Sequence, residues 1–363
     1  MNCRYGEGVS RHGADRWIGP GGRCLFLVGW LLSGGGSSLF ADDRVTLIPE
    51  GAVDPVVIVG TVENYTGESL IIRRNGVPND RYPASSVVSV ETLRMPKHDQ
   101  GLELFQAGEI AMAEATLQAG LREEPREWVQ REVLAELVRC AIRQGNLDAA
   151  GTYFQRITKD DPTTRHWKVA PLTWAPQAMA EGQRALARSW FDSPASSERL
   201  MAASWLLLDT VYGHTAETKL KDLSRDTNRV VSALARCQLW RLQMGTPLDE
   251  VELARWRRDV RKLPQELRAG PHYLVGKALM QRREPTLAAA EFLWLPMVYR
   301  EPEDLAARAL LDASRALESV GQTVDAIALL DRLDRNYRWS ASAAEGRQAR
   351  SVLSSEGNSD KNP

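Results

Sequence analysis

The sequence predicts a mainly α, multidomain α+β protein: an α-helical solenoid preceded by a small β-barrel. Three observations carry this. Ala113, Leu117, Gly120 and Pro125 recur as Ala150, Phe154, Ile157 and Pro162, each 37 residues on, and Gly108 recurs as Gly145. Ala288, Phe292 and Leu295 recur 38 residues on as Ala326, Leu330 and Leu333. A period in the thirties with a small residue, a large apolar one and a closing proline marks stacked helix-turn-helix units. Residues 44–93 instead hold short β-branched runs parted by turn residues, the pattern of strands.

Residues 1–41 read as an export signal. Scattered arginines precede an apolar run from Cys24 to Leu32, then Ser33–Ser38, rich in glycine, and Leu39-Phe40-Ala41 before Asp42-Asp43. Nine apolar residues fall far short of the ~20 that span a bilayer. Cleavage is expected near Ala41, giving a periplasmic or extracellular protein with no integral membrane span in the mature chain. An uncleaved anchor is the alternative. Cys24 stands at the front of the apolar run, not after it, so it does not sit where a lipid-bearing cysteine would.

Residues 42–96 are expected to form the barrel. Val45–Ile48, Val56–Val62, Ser69–Arg74 and Val87–Val90 are the strand candidates. Asn64–Gly67, Asn75-Gly76 and Tyr82–Ala84 are the turns, Asn-Gly being the strongest hairpin signal because both residues tolerate positive φ. Strands this short bury their apolar faces by curling on themselves. Met95–His98 reads as a linker to the helices.

Helical repeats are expected over 97–162. Ile110, Ala113, Leu117 and Leu121 share one face, as do Leu134, Leu137, Val138 and Ala141, and then Leu147, Ala150, Phe154 and Ile157. Pro162, Pro171 and Pro176, with Trp167 and Trp174, mark 163–180 as an ordered interruption. Residues 181–283 read as helical but degenerate in period, with Ser193-Pro194 and Thr246-Pro247 as helix starts. The repeat returns over 284–353, and 354–363 reads as a disordered polar tail.

Over 101–162 and 284–338 these elements resemble the tetratricopeptide-repeat superfamily, and 42–96 resembles the SH3-like or Sm-like barrels at the front of bacterial envelope proteins. The Trp-x2-Leu-Gly-x2-Tyr element of the repeat's first helix is absent. The resemblance implies an exported scaffold whose concave surface binds another envelope protein or peptide. A cell-wall or glycan-binding protein, docking through the barrel with the repeats as spacer, is the alternative.

No catalytic residue is expected. The chain lacks a nucleophile elbow, a phosphate loop and a dinucleotide fingerprint. Its five histidines stand apart from one another and from cysteines, so neither metal nor cofactor is expected. Glu123-Glu124 and Asp160-Asp161 read as solvated turn residues. The basic cluster Arg255, Arg257, Arg258, Arg261 and Lys262 is interspersed with acids and reads as a solvated face. The formal charge is -1, with residues 1–41 at +2 and the rest at -3, which gives no case for nucleic acid. Cys140 and Cys237 read as small core residues, with a disulfide between them the alternative. Trp128, Trp205, Trp240 and Trp294 lie in apolar helical stretches and are assigned to the core. Helix packing does not claim Trp167 and Trp174, so these two and Arg165 are the candidate partner contacts, against the plainer reading that both rings cap the array.

Overall fold

The computed structural model describes residues 42–74 and 79–359. The leader expected over 1–41, the turn expected at Asn75-Gly76 and residues 360–363 lie outside them. Among the described residues the chain forms a small antiparallel sheet followed by fourteen α-helices, an α-helical solenoid behind a β module.

Strand β1 (Asp43–Leu47) pairs with β2 (Val56–Tyr65), β2 with β3 (Ser69–Arg73), and β3 with β4 (Asp80–Pro83). A 3-10 turn at Ala84–Ser86 reverses the chain, and β5 (Val87–Glu91) returns to the free side of β1, giving the order β4-β3-β2-β1-β5. β4 was not expected, because Tyr82-Pro83 reads as a turn. It is an edge strand, where proline's missing N–H is tolerated. β2 also runs past Val62 to Tyr65. A register shift between Val62 and Asn64 puts both Val62 and Tyr65 inside, although a spacing of three breaks strict alternation. Their interior holds Val45, Leu47, Leu70 and Ile72, and is completed by Trp128 and Val129 from the third helix.

The helices begin earlier than the sequence suggests. Pro96, assigned to the linker, opens α1 (Pro96–Ala107) at the first helical position, where a missing N–H leaves nothing unsatisfied. Then follow α2 (Ile110–Glu123), α3 (Glu127–Arg143) and α4 (Leu147–Asp160). An irregular segment leads to α5 (Glu181–Trp190), α6 (Ser196–Leu206), α7 (Gly213–Leu223), α8 (Arg229–Leu239) and α9 (Glu250–Lys262). The array ends with α10 (Ala269–Gln281), α11 (Pro285–Trp294), α12 (Glu303–Glu318), α13 (Thr323–Tyr337) and α14 (Ala341–Ser359). The helix starts read at Ser193-Pro194 and Thr246-Pro247 come later. α6 begins at Ser196, and Asp249 rather than Thr246 caps α9 by accepting from Glu252 N, because its carboxylate suits a helix N-terminus. α14 continues through Ser359 where a tail was expected from 354. Once a helix is nucleated each added residue gains a hydrogen bond, so polar residues can extend it.

The repeat positions pack as predicted. Ala113, Leu117, Ala150, Phe154, Ile157, Ala288, Phe292, Leu295, Ala326, Leu330 and Leu333 are each at most 2% exposed. Consecutive helices pair through most of the array, and the central region continues this, with α6 against α7 and α8, while Trp240, just past α8, stacks on Trp256 of α9 at 4.5 Å.

Four hairpins close on one left-handed residue. Gly108, Gly145 and Gly321 have φ of 85°, 69° and 76°, and Arg283 takes the same place between α10 and α11 at 61°. At each, two successive N–H groups reach back to the last carbonyls of the preceding helix, as from Arg283 to Met280 and from Glu284 to Leu279. An arginine there carries the Cβ clash that glycine avoids. Arg283→Gly is therefore expected to stabilise the protein by about 1 kcal/mol, read as a raised denaturation midpoint at unchanged slope.

The array does not stay open. Arg139 and Arg143 of α3 bond Glu301 (2.6 Å) and Glu303 (2.5 Å) at the start of α12, and the Arg143 guanidinium lies over Trp339. The N-terminal and C-terminal repeat regions thus meet through α3 and α12.

Candidate functional site

The inner face of this curl is occupied by the chain itself. Asp161, buried rather than solvated, ends α4 by accepting from Gly67 N of the sheet and from Thr163 Oγ1. Thr164 caps a 3-10 turn over Arg165–Val169 by accepting from His166 N. Trp167 then meets the edge of Phe154, ring centroids 5.2 Å apart. From Ala170 to Trp174 every residue is buried. Pro171 O accepts from Trp205 Nε1 (2.6 Å), and Thr173 N donates to Ser204 Oγ (2.9 Å), both on α6. Thr173 Oγ1 donates to Ser204 O and accepts from Arg241 Nη1, which follows α8. The Trp174 ring lies directly on Gly270 of α10. A cleft of about 440 Å³ flanks the segment, with the α3–α4 turn on one side and Asp304, Arg308 and Trp339 on the other. Residues 163–180 therefore run as a strap along the groove that α3, α6, α10 and α12 enclose.

This settles where the three predicted contacts sit. Trp167 and Trp174 are only 4% and 6% exposed, so the rings cap the core and are not presented to solvent. Arg165 is partly exposed. It pairs with Glu132 of α3, and its guanidinium lies 4.2 Å over the Tyr65 ring, tying the sheet to the array. The strap brings the three close in sequence but does not gather them on one accessible surface.

His166 is buried beside Arg165 and Lys168, and burial followed by those cations holds its pKa well below 6.5. The unfolded chain therefore binds this proton more readily than the folded one. The stability contributed by neutral His166 is complete above about pH 6.5 and falls as the pH drops toward the folded value. His166→Phe is expected to flatten the acid limb of a stability–pH profile by up to about 1.4 kcal/mol per pH unit between pH 6 and 5.

The exposed aromatic surface lies elsewhere, on α10 and α11. Trp294 is 45% exposed, against its expected place in the core. Ala288, Phe292 and Leu295 take the inward face of α11, and two residues past Phe292 is about 200° around the helix. After Trp294 the chain widens into a π turn over Leu295–Tyr299, which leaves Met297 and Val298 exposed with Leu287 nearby in sequence. His272 of α10 stacks on both Trp294 and Tyr299, with centroids 5.5 and 5.4 Å away. Its Nδ1 is 2.7 Å from Glu291 Oε2, and its Nε2 is 3.2 Å from Tyr299 Oη. Glu291 is also held by Arg257 at 3.4 Å. Among the described residues, Arg268, Arg300 and Arg332 have no carboxylate within ion-pair distance, and Arg332 reaches Met297 Sδ at 3.0 Å. Sequence reasoning missed this patch. The signal available was the off-face position of Trp294; the partnership with His272 was not visible.

The other groupings prove structural. Glu124, expected to be solvated, is buried and holds Arg126 through both oxygens. Arg255 and Lys262 pair with Glu252 and Asp259 along α9, while Trp256 between them is buried. Cys140 and Cys237 are both buried and free, and burial raises each thiol to about 12. Among the described residues no group of three or more His, Cys, Asp or Glu side chains is placed to hold a metal ion, and no helix is long and apolar enough to cross a membrane.

Residues 104–170, from α1 through the first part of the strap, match the tetratricopeptide-repeat family model. No match was found among curated proteins or among solved structures.

Proposed function

We propose that the protein is an exported, non-enzymatic scaffold of the bacterial envelope that binds another protein through its outer aromatic surface at Trp294. The repeat match supports a protein partner, since helical repeats present extended recognition surfaces. The inner groove, the surface the repeats suggest first, is filled by the strap. The observation that carries the reading is Trp294 itself, exposed and held against His272 beside Met297 and Val298. An exposed, rigidly stacked tryptophan is the side chain that most often dominates an interface. With Arg268, Arg300 and Arg332 nearby, the fitting partner is an acidic segment with an apolar anchor. Export rests on the leader read over 1–41, and the five-stranded antiparallel sheet, with β5 returned beside β1, supports reading 42–96 as an SH3-like module that braces the array.

The test is a pull-down from envelope extract with residues 42–363, comparing wild type with Trp294→Ala. The variant is expected to fold normally by circular dichroism and to bind at least about 30-fold more weakly, a loss of about 2 kcal/mol. Undiminished capture by a folded Trp294→Ala protein refutes the surface. Co-sedimentation of wild type with purified sacculi in the absence of any protein partner would replace the scaffold reading with wall binding.

A further inference from the structure

A second site sits where the strap leaves the groove. Thr173, Pro176–Met179, Arg184, Trp205, Leu208–Thr210 and Arg241 line a cleft of about 400 Å³, within the range of small-molecule pockets. At its base is Arg241, only 5% exposed. Its Nη1 donates to Ser204 O (2.7 Å), Gln238 Oε1 (2.8 Å) and Thr173 Oγ1 (3.2 Å), all neutral acceptors. Its Nε is buried with no acceptor, and so is Gln238 Nε2 beside it. Among the described residues no carboxylate lies within ion-pair distance of this guanidinium, and its lowered pKa of about 10 has burial as its sole cause. Arg241 therefore keeps its charge at neutral pH without a counter-charge.

That arrangement is incomplete as it stands. Buried charges are normally paired, and a guanidinium is the side chain best shaped for an oxyanion. The other charges on the cleft cancel. Asp209 is taken by Arg184 Nε at 3.2 Å and by the backbone N–H groups of Val211 and Tyr212. One positive charge is left over, between the apolar walls of Trp205, Leu208 and Met179 and the hydroxyls of Thr173 and Thr210. We infer that this cleft binds a small organic monocarboxylate, its carboxylate on Arg241 and its apolar body against Trp205 and Leu208. Arg184 holds Asp209, whose negative charge would otherwise oppose the anion.

The experiment titrates the full chain with benzoate, acetate and inorganic phosphate at constant ionic strength, read by calorimetry and thermal unfolding. Benzoate is expected to bind saturably and, at 100 times its Kd, to raise Tm by roughly 4–8 °C. Acetate is expected to bind at least about 10-fold more weakly for lack of the apolar body. Arg241→Met keeps the stem and removes the charge; it is expected to fold and to lose the response. Arg184→Gln is expected to weaken it several-fold, which keeps the test decisive if the first variant fails to fold. No saturable binding by wild type overturns the proposal, because Arg241 then serves only to tie the strap. Phosphate outcompeting benzoate overturns the carboxylate assignment, and a benzoate response unchanged in folded Arg241→Met overturns the site.

Discussion

Trp174→Ala is expected to cost about 3–5 kcal/mol. The indole is buried on the bare backbone of Gly270, with Leu172 of the strap in the same core. Removing it leaves a void bordered by helix backbone, which cannot collapse inward. The converse change tests the same contact. A Cβ added at Gly270 falls inside the Trp174 ring, so Gly270→Ala is expected to cost about 1–3 kcal/mol through overpacking. In the double variant the new methyl occupies part of the void. Its loss is then expected to be smaller than the sum of the two, and chemical denaturation of all three proteins measures this coupling. Simple additivity would mean that the ring does not rest on Gly270.

Trp128→Ala is expected to cost a similar 3–5 kcal/mol and to act on the sheet first. Trp128 belongs to α3, yet its ring completes the interior of the β module, and its Nε1 donates to Val62 O at 3.0 Å. Val129 and the bonds from Arg131 Nη2 to Asn64 Oδ1 and Tyr65 O extend the same seam. A five-stranded sheet this small has little core of its own. Hydrogen exchange is expected to show amides of β1 to β3 losing protection in the variant while α10 to α13 keep theirs. Uniform loss across both would mean that sheet and repeats unfold together.

The sequence made the repeats legible because their requirements are local. A left-handed residue must end the first helix of a hairpin, and a small residue must let the two helices approach, so Gly108, Gly145, Ala113, Ala150, Ala288 and Ala326 recur. Arg283 shows how such a signal is lost: the backbone there has the same shape as at the glycines, but the residue conceals it. β4 was hidden because Asp80 and Pro83 are poor strand formers kept only by an edge position, and Glu124 and Asp161 because a pair of acids at a helix end gives no sign of what will cover it. The candidate site was legible only in part. Prolines and tryptophans at 163–180 announced an ordered segment, but whether its rings face solvent or core depends on helices that arrive a hundred residues later. Trp294 erred in the opposite sense, since an apolar neighbourhood in sequence is not the inward face of a helix. Arg241 left no signal, because a lone arginine near a helix end reads as ordinary surface even between Trp240 and Leu242.

The clasp between α3 and α12 has a consequence for how the molecule can change. An open solenoid behaves as a row of nearest-neighbour units; terminal units fray, and units can be gained or lost with little effect on the rest. Here Arg139 and Glu301 join positions 162 residues apart, and the strap between them touches helices from both halves. Shortening the chain by α12 to α14 would take Glu303 from Arg143 and remove the wall of the strap's cleft that Asp304, Arg308 and Trp339 form. The helical array is thus fixed in length: it keeps the parts of a modular array, but its helices have the all-or-none character of a closed globule.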